Sequence, residues 1–276
     1  MLLSSTSSDS QSDKLLIETA QKKGLEALKI DPRKISYAFT DKIKIFIGSS
    51  DISHAQIMLV RRTRGAELET YQLAKAMEMR GCSVTDPSEA LIYATDKLVP
   101  QLQRFTANYH PNTMIANKFD TGTIDNVIET IGFPMFVKPI NGTRQKNNSR
   151  VENKRQLDAY LYSNPKGIIF QEYLDIKSLY RVCTIGGKAV ARTFCPSSKN
   201  YDIPADNAIK IAEYVAGSIA YQIVGWDIAR VNQHKHYILE ANRNPNILSL
   251  EERFNMSEKI IDYCLHKTST GKSSGF

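Results

Sequence analysis

The sequence predicts an α/β chain that becomes α+β in its C-terminal part, and three observations predict it. Over residues 1 to 90, short apolar runs alternate with helix-patterned ones, which argues for a parallel sheet. LYRVCTIGGKAVARTF holds two β-rich runs about a Gly-Gly turn, a hairpin signal. IVGWDIARVNQHKHYILEAN repeats that pattern about a polar turn near Gln233 to Lys235.

The elements follow in order. In residues 1–90, MLLSS, LEALKI, KIKIFIG and AQIMLVRR read as strands, the last running into Arg61, Arg62 and Arg64. SDKLLIETAQKKG and AELETYQLAKAMEMRG read as helices, each stopped by a glycine. A second region, 91–168, opens with the helix SEALIYATDKLVPQLQRF. It continues with a TMIA strand, the helix TIDNVIETI and GFPMFVKPI, an apolar strand carrying one lysine. The polar NGTRQKNNS reads as a loop before a helix around NKRQLDAYLY. A third region, 169–276, holds the strand of GIIFQEYL, the two hairpins, the helix NAIKIAEYVAGSIAYQ between them and the closing helix EKIIDYCLHK. The tail TSTGKSSGF is expected to be disordered.

Composition excludes several classes. The 276 residues, 42% hydrophobic, suffice for one large domain or two to three small ones with a real core. Cys82, Cys183, Cys195 and Cys264 are scattered, so neither a disulfide scaffold nor a zinc cluster is expected, and a reducing cytosol is the default. No apolar run approaches the roughly 18 residues of a membrane span. The start, MLLSSTSSDSQSDK, lacks the basic and apolar regions of a signal peptide, so the expected location is cytoplasmic. A net charge of +7 suits an anionic ligand, although a generic basic surface gives the same number more often. The local run of Lys138, Arg144, Lys146, Arg150, Lys154 and Arg155 has no interleaved aromatics, so a nucleic-acid partner ranks last.

The stretch YILEANRNPNI places Glu240 and Asn242 two residues apart, hence on one face of a strand. Two readings are open: an edge strand with a wet face, or half of a metal site. If VGWDIARV pairs antiparallel with HYILEAN, Asp227 comes near Glu240 across the ladder. Two carboxylates and an amide are hard oxygen donors, suited to Mg²⁺ sharing its shell with phosphate and water. As an unpaired anionic cluster, either carboxylate should be removable without loss of ligand-free stability. His234 and His236, at the turn, are expected to be exposed. Lys138 is the only charge on its strand, where an anion would meet it. Lys97 alone reads as a solvated helix residue, and Glu172 interrupts an apolar strand much as Glu240 does.

Taken in order, Arg64–Gly65, DKL, VKPINGT, IIFQEYL, YRVCTIGGKAVA, VGWDIARV and YILEANRNPNI resemble the ATP-grasp carboxylate–amine ligases, in particular the RimK-like amino-acid ligases. The resemblance covers most of the chain. It implies an ATP-grasp fold with an N-terminal parallel α/β domain, a small central subdomain and a C-terminal antiparallel sheet with helices. It implies ATP and Mg²⁺ (or Mn²⁺) as cofactors, a carboxylate and an amine, the latter an amino acid in that branch, as substrates, and a homo-oligomer, dimer or tetramer. Lys97 and Lys138 resemble the lysines that contact ATP phosphates, and Gly142–Thr143 the flap over them. Glu172 and Tyr173 resemble the pair at the adenine, Arg181 the arginine facing the reacting phosphate. Asp227, Glu240 and Asn242 resemble the magnesium ligands.

The chain departs from the pattern in three places. The flap NGTRQKNNSRV carries one glycine, Gly142, with Arg144 and Lys146 as compensating charges. Leu179–Tyr180 replaces the acid that would hold the ribose, leaving Asp175 as the substitute. RTFCPSSKNYDIP replaces a longer basic segment, with Arg192, Lys199 and Asn200 as stand-ins. The expected activity is ADP-forming ligation through an acyl phosphate. The alternatives are an ATP-binding regulatory or scaffold protein that has lost turnover, and an ATP-grasp kinase.

Overall fold

The computed structural model describes residues 1–6, 10–91, 109–140, 147–164, 166–194 and 206–270. Strands β1 (Leu2–Ser4), β2 (Leu28–Ile30), β6 (Ile57–Val60) and β7 (Ser83–Thr85) form a parallel sheet in the order β2-β1-β6-β7. Both its faces are covered, as parallel sheets require. Leu3 and Leu59 enter one core with Leu16 of helix α1 (Gln11–Lys22), and Leu2 and Met58 enter the other with Leu73 and Met77 of helix α2 (Glu67–Met79). The Ser10 side chain caps α1 by accepting the Asp13 N–H.

A three-stranded antiparallel meander, β3 (Ile35–Phe39), β4 (Ile43–Ile47) and β5 (Ser50–Asp51), is inserted between β2 and β6. Only β4 was legible beforehand. It carries the one deeply buried residue of the meander strands, Ile45, while β3 stays half-exposed and interrupts its apolar residues with Ser36. Of the helix expected from Ser88, Ser88–Leu91 is helical (α3), and the following residues to 108 lie outside the described set.

The central part is an antiparallel sheet in the order β10-β9-β11-β8. Its strands are β8 (Thr113–Ala116), β9 (Met135–Pro139), β10 (Ser149–Val151) and β11 (Ile168–Glu172). Helices α4 (Thr121–Ile131) and α5 (Lys154–Ser163) cover one face, where Met135, Val137 and Phe170 bury completely with Val127 and Leu157. Alternation along β9 turns Phe136 and Lys138 to the opposite face, beside Gln171 and Ile169 of β11. The short β10 has one apolar residue, Val151, and gave no strand signal. β11 is hydrogen-bonded into this sheet through its last residue, Glu172.

The C-terminal part is a second antiparallel sheet, β13-β12-β14-β15, built from β12 (Ser178–Ile185), β13 (Lys188–Phe194), β14 (Ile223–Arg230) and β15 (His236–Asn242). Gly186 and Gly187 make the first hairpin turn with φ of 56° and 82°, a conformation that side chains with a Cβ resist. One face packs Tyr180, Val182, Trp226 and Ile238 on helix α6 (Asp206–Ala216). The buried indole of Trp226 donates to Thr184 Oγ1 at 2.9 Å. The other face sends Cys183 and Ile185 into a core shared with Leu3, Leu16 and helix α8 (Met256–Thr270).

Helix α8 thus joins the C-terminal sheet to the N-terminal one. It is preceded by α7 (Leu248–Phe254), which the sequence did not announce. The helix includes Thr268, Ser269 and Thr270, so the first part of the tail expected to be disordered is helical; residues 271–276 lie outside the described set. Among the described residues, no helix is long and apolar enough to cross a membrane.

Candidate active site

Three strands of the C-terminal sheet bring charged residues into one row. The β12–β14 register sets Arg181 opposite Asp227, and the β14–β15 register sets Asp227 opposite Glu240. A register shift between Asp227 and Ile228 makes this possible. Ile228 pairs with Ile238, so Leu239 is the extra residue of a β-bulge. In a regular ladder Ile238 and Glu240 would share a face. With the bulge, Ile238 points into the core under α6 while Glu240 joins Asp227 on the opposite face.

Within the row, Arg181 Nε donates to Asp227 Oδ1 and Nη2 to Oδ2, both at 2.8 Å. This fork is the strong geometry for an arginine–carboxylate pair. Glu240 is exposed and makes no hydrogen bond or ion pair with a described residue. Asn242 lies opposite Gly225, and its Oδ1 accepts the Asn244 backbone N–H at 2.9 Å. The wet-face reading of Glu240 and Asn242 is therefore correct as to exposure.

The donor set fits a hard divalent cation. Glu240 has both oxygens available, and each Asp227 oxygen and Asn242 Oδ1 retain a lone pair beyond the bond they accept. Among the described residues no three His, Cys, Asp or Glu side chains gather as a metal cluster. Asp227 is not an unpaired anion, contrary to expectation: its charge is already met by Arg181.

The other expected residues divide. Glu172, at the end of β11, accepts from the Asn112 backbone N–H at 3.1 Å and side chain at 3.2 Å. Tyr173 is exposed, with the Arg150 guanidinium 4.1 Å from its ring centroid, a cation–π contact that sequence reasoning did not foresee. Asp175 is exposed and ion-paired with Lys177. Lys138 is half-buried on the face of the central sheet away from its helices. Arg192 is not with the row. It pairs with Val182, whose side chain is on the α6 face, and its guanidinium lies 4.0 Å from Asp206 at the start of α6. Strand alternation separates it from Arg181. Lys97, Gly142, Thr143, Arg144, Lys146, Lys199 and Asn200 lie outside the described residues.

His236 corrects a second expectation. It is 5% exposed, opposite Arg230 in the β14–β15 ladder, and only His234 is at the exposed turn. No described cysteine is an activated nucleophile. Burial pushes the thiols of Cys82 and Cys183 up to about 12 and that of Cys264 up to about 11.

A further group was missed because its residues are far apart in sequence. Arg61, at the end of β6, is 1% exposed, and Arg243 and Asn244, just past β15, bind its backbone carbonyl. Burial lowers Arg61 to about 10 and raises the Asp86 carboxyl beside Arg243. The sole signal was an apolar strand that ran into a string of arginines.

No family model matches the sequence, and no curated protein matches it. Solved structures do. The ATP-grasp ligase PsnB, complexed with a minimal precursor, Mg and ADP, superimposes with a TM-score of 0.77 at 17% identity, over 97% of this chain and 98% of that one. A RimK-domain ATP-grasp protein from Sphaerobacter thermophilus gives 0.73 at 16% identity, over 96% and 99%. The macrocyclase MdnC from Microcystis aeruginosa, bound with its precursor peptide MdnA, gives 0.68 at 17% identity, over 96% and 99%. With a parallel N-terminal sheet, two antiparallel sheets and this end-to-end superposition, the chain has the ATP-grasp fold.

Proposed function

We propose that this protein is an ATP- and Mg²⁺-dependent ligase that joins a carboxylate to an amine through an acyl phosphate, releasing ADP and phosphate. One observation carries the reading: the charged groups of both antiparallel sheets stand at the same offset from the segment that links them. Lys138 is paired with Ile169, three residues before Glu172, and the Arg181–Asp227–Glu240 row begins three residues after Ser178. At about 3.3 Å per residue, each offset is roughly 10 Å. A nucleotide with its base at Glu172–Tyr173 would direct its phosphates toward Lys138 on one side and the acidic row on the other.

In this reading Glu172 and Tyr173 bind the base, Asp175 the ribose, and Lys138 a phosphate as a compact point charge. Asp227, Glu240 and Asn242 would hold Mg²⁺, which when bound neutralises phosphate oxygens. Arg181 faces the transferring phosphoryl group. The substrate carboxylate oxygen attacks the γ-phosphorus as the bond to ADP breaks. The amine nitrogen then attacks the acyl carbon, phosphate leaves and the nitrogen loses a proton. The protein's share is positioning and positive charge, and it needs no nucleophile of its own.

Lys97, the flap residues Gly142, Thr143 and Arg144, and Asn200 complete the proposed nucleotide site. Arg192, on the other sheet face and beside Asp206, is left out of it. The carboxylate and amine are proposed to reside on a peptide, because PsnB and MdnC were solved with precursor peptides. A free amino acid is the rival. The test is ADP and phosphate release against panels of peptides and amino acids, with products read by mass spectrometry. ADP with an amide mass supports the ligase. ADP with a stable phosphorylated product would make it a kinase, and ATP binding without consumption would make it a scaffold.

A further inference from the structure

The segment that follows the proposed metal strand is locked to the N-terminal sheet by a reciprocal set of hydrogen bonds. The Arg61 carbonyl, at the end of β6, accepts from Asn244 Nδ2 at 2.9 Å and from Arg243 Nη2 at 3.4 Å. The same Arg243 nitrogen donates to Thr63 Oγ1 at 2.9 Å. In return, Arg61 Nη2 donates to the Pro245 carbonyl at 3.3 Å. Arg243 Nη1 stands 3.7 Å from Asp86, whose other oxygen accepts the Gln222 N–H, at 2.6 Å, just before β14.

These contacts end on a proposed metal ligand. The Asn244 backbone N–H donates to Asn242 Oδ1 at 2.9 Å. That bond fixes the Asn242 amide and leaves its oxygen one lone pair. Asn244 therefore holds Asn242 with its backbone and Arg61 with its side chain. The fit is tight: a Cβ added at Gly225, opposite Asn242, would stand 3.0 Å from Pro245 Cβ. Position 225 thus has little room for a side chain beneath Pro245, and the hydrogen bonds above hold the segment 242–245 against the N-terminal sheet.

We infer that Arg243 and Asn244 are positioning residues, which tie Asn242 to the N-terminal sheet and so set the geometry of the cation site. This rests on the metal reading above. Neither residue needs to touch the cation. Their action is that of partners behind a ligand, whose loss typically lowers metal affinity 10- to 100-fold. The interlock also means that the N-terminal sheet, through Arg61 and Thr63, is part of the site's scaffold.

The experiment is titration of the intact protein with Mn²⁺ alone, read by electron paramagnetic resonance, so that no turnover is needed. Parent, Glu240→Gln, Arg243→Met, Arg243→Lys and Thr63→Val are compared, with Ile260→Val as a core truncation outside the interlock. Arg243→Met is expected to weaken Mn²⁺ about tenfold. Arg243→Lys, which keeps a charge beside Asp86, should recover part of the loss. Thr63→Val, a milder change that keeps the fold, should weaken Mn²⁺ by less. Ile260→Val should lower the melting temperature without changing Mn²⁺ affinity. If the parent binds and Glu240→Gln does not, but Arg243→Met and Thr63→Val match the parent, the inference is wrong while the metal reading stands. Equal weakening in Ile260→Val would likewise overturn it, as a general effect of stability. Absence of Mn²⁺ binding in the parent would overturn both.

Discussion

Arg181 holds both carboxylate oxygens of Asp227 at 2.8 Å, across the β12–β14 ladder and directly beside exposed Glu240. A cation approaching Asp227 meets a carboxylate already neutralised by a guanidinium. It must share the oxygens or displace the arginine. On the proposed function, displacement would free Arg181 to face the phosphoryl group as the cation arrives, so that one residue would serve the site in two states.

This arrangement makes a counterintuitive prediction. Arg181→Gln should bind Mn²⁺ more tightly than the parent while losing ligase turnover. A charge-assisted hydrogen bond is worth roughly 1.5–3 kcal/mol, and recovering 1.4 kcal/mol of it would tighten binding about tenfold. Calorimetric titration of the ligand-free proteins measures it. An unchanged or weaker affinity would mean that the ion pair does not compete with the cation.

The two carboxylates of the row should also differ in what they do for stability. Glu240 is exposed and has no bond to a described residue, so Glu240→Ala should change urea-unfolding stability by no more than about 0.5 kcal/mol. Asp227→Ala takes the carboxylate from a partly buried arginine and should cost about 1–3 kcal/mol without any metal present. Reading the sequence as an unpaired acidic cluster predicts no loss for either. Equal midpoints for the two variants would restore that reading. Both should abolish Mg²⁺-dependent ATP use.

Why the sequence showed the polar residues of the row and hid their pairing is visible at Leu239. Glu240 and Asn242 were legible because polar residues at i and i+2 interrupt a strand. Asp227 was legible because a hairpin connects the two strands. The bulge was not, because no glycine marks it and Leu239 looks like any strand residue. Arg192 was misplaced for a related reason: its face depends on a hairpin register that shifts between Cys183 and Thr184. The Arg61–Arg243–Asn244 interlock joins residues about 180 positions apart, beyond any local pattern. His236 was read from its place near a turn, whereas cross-strand packing buries it.

Lys138 tests the nucleotide side. It is the one charge on β9, half-buried on the face away from helices α4 and α5. If its ammonium meets phosphate oxygens, Lys138→Met should weaken ATP much more than AMP, since a point charge gains with each added phosphate charge within reach. Competition with a fluorescent adenine nucleotide gives both affinities. Equal losses would assign Lys138 to folding.

The buried His236 should leave a signature in stability against pH. Burial is the main cause that holds its imidazole below the ordinary value near 6.5, opposed by a hydrogen bond with the His234 backbone and aided by the nearby Arg230 charge. Among the described residues its ring Nε2 finds no hydrogen-bond partner that would repay a proton there. In the unfolded chain the ring titrates normally. Between the unfolded value and the lower folded one, the unfolded state therefore binds more protons, and stability rises with pH across that window. The contribution is complete above about pH 6.5 and is lost as pH falls through the folded value. Carboxylates elsewhere also act in acid, so the measurement is a difference: melting temperature of the parent minus that of His236→Gln, from pH 8 to pH 5. A glutamine carries no titrating ring, and the packing it loses is the same at every pH. The difference should be flat above about pH 7 and fall below about pH 6.5, as protons bind the unfolded parent in preference to its buried, neutral ring. A difference that stays constant, or one that grows on acidification, would mean that the ring accepts its proton in place and that His236 is not held neutral by the sheet.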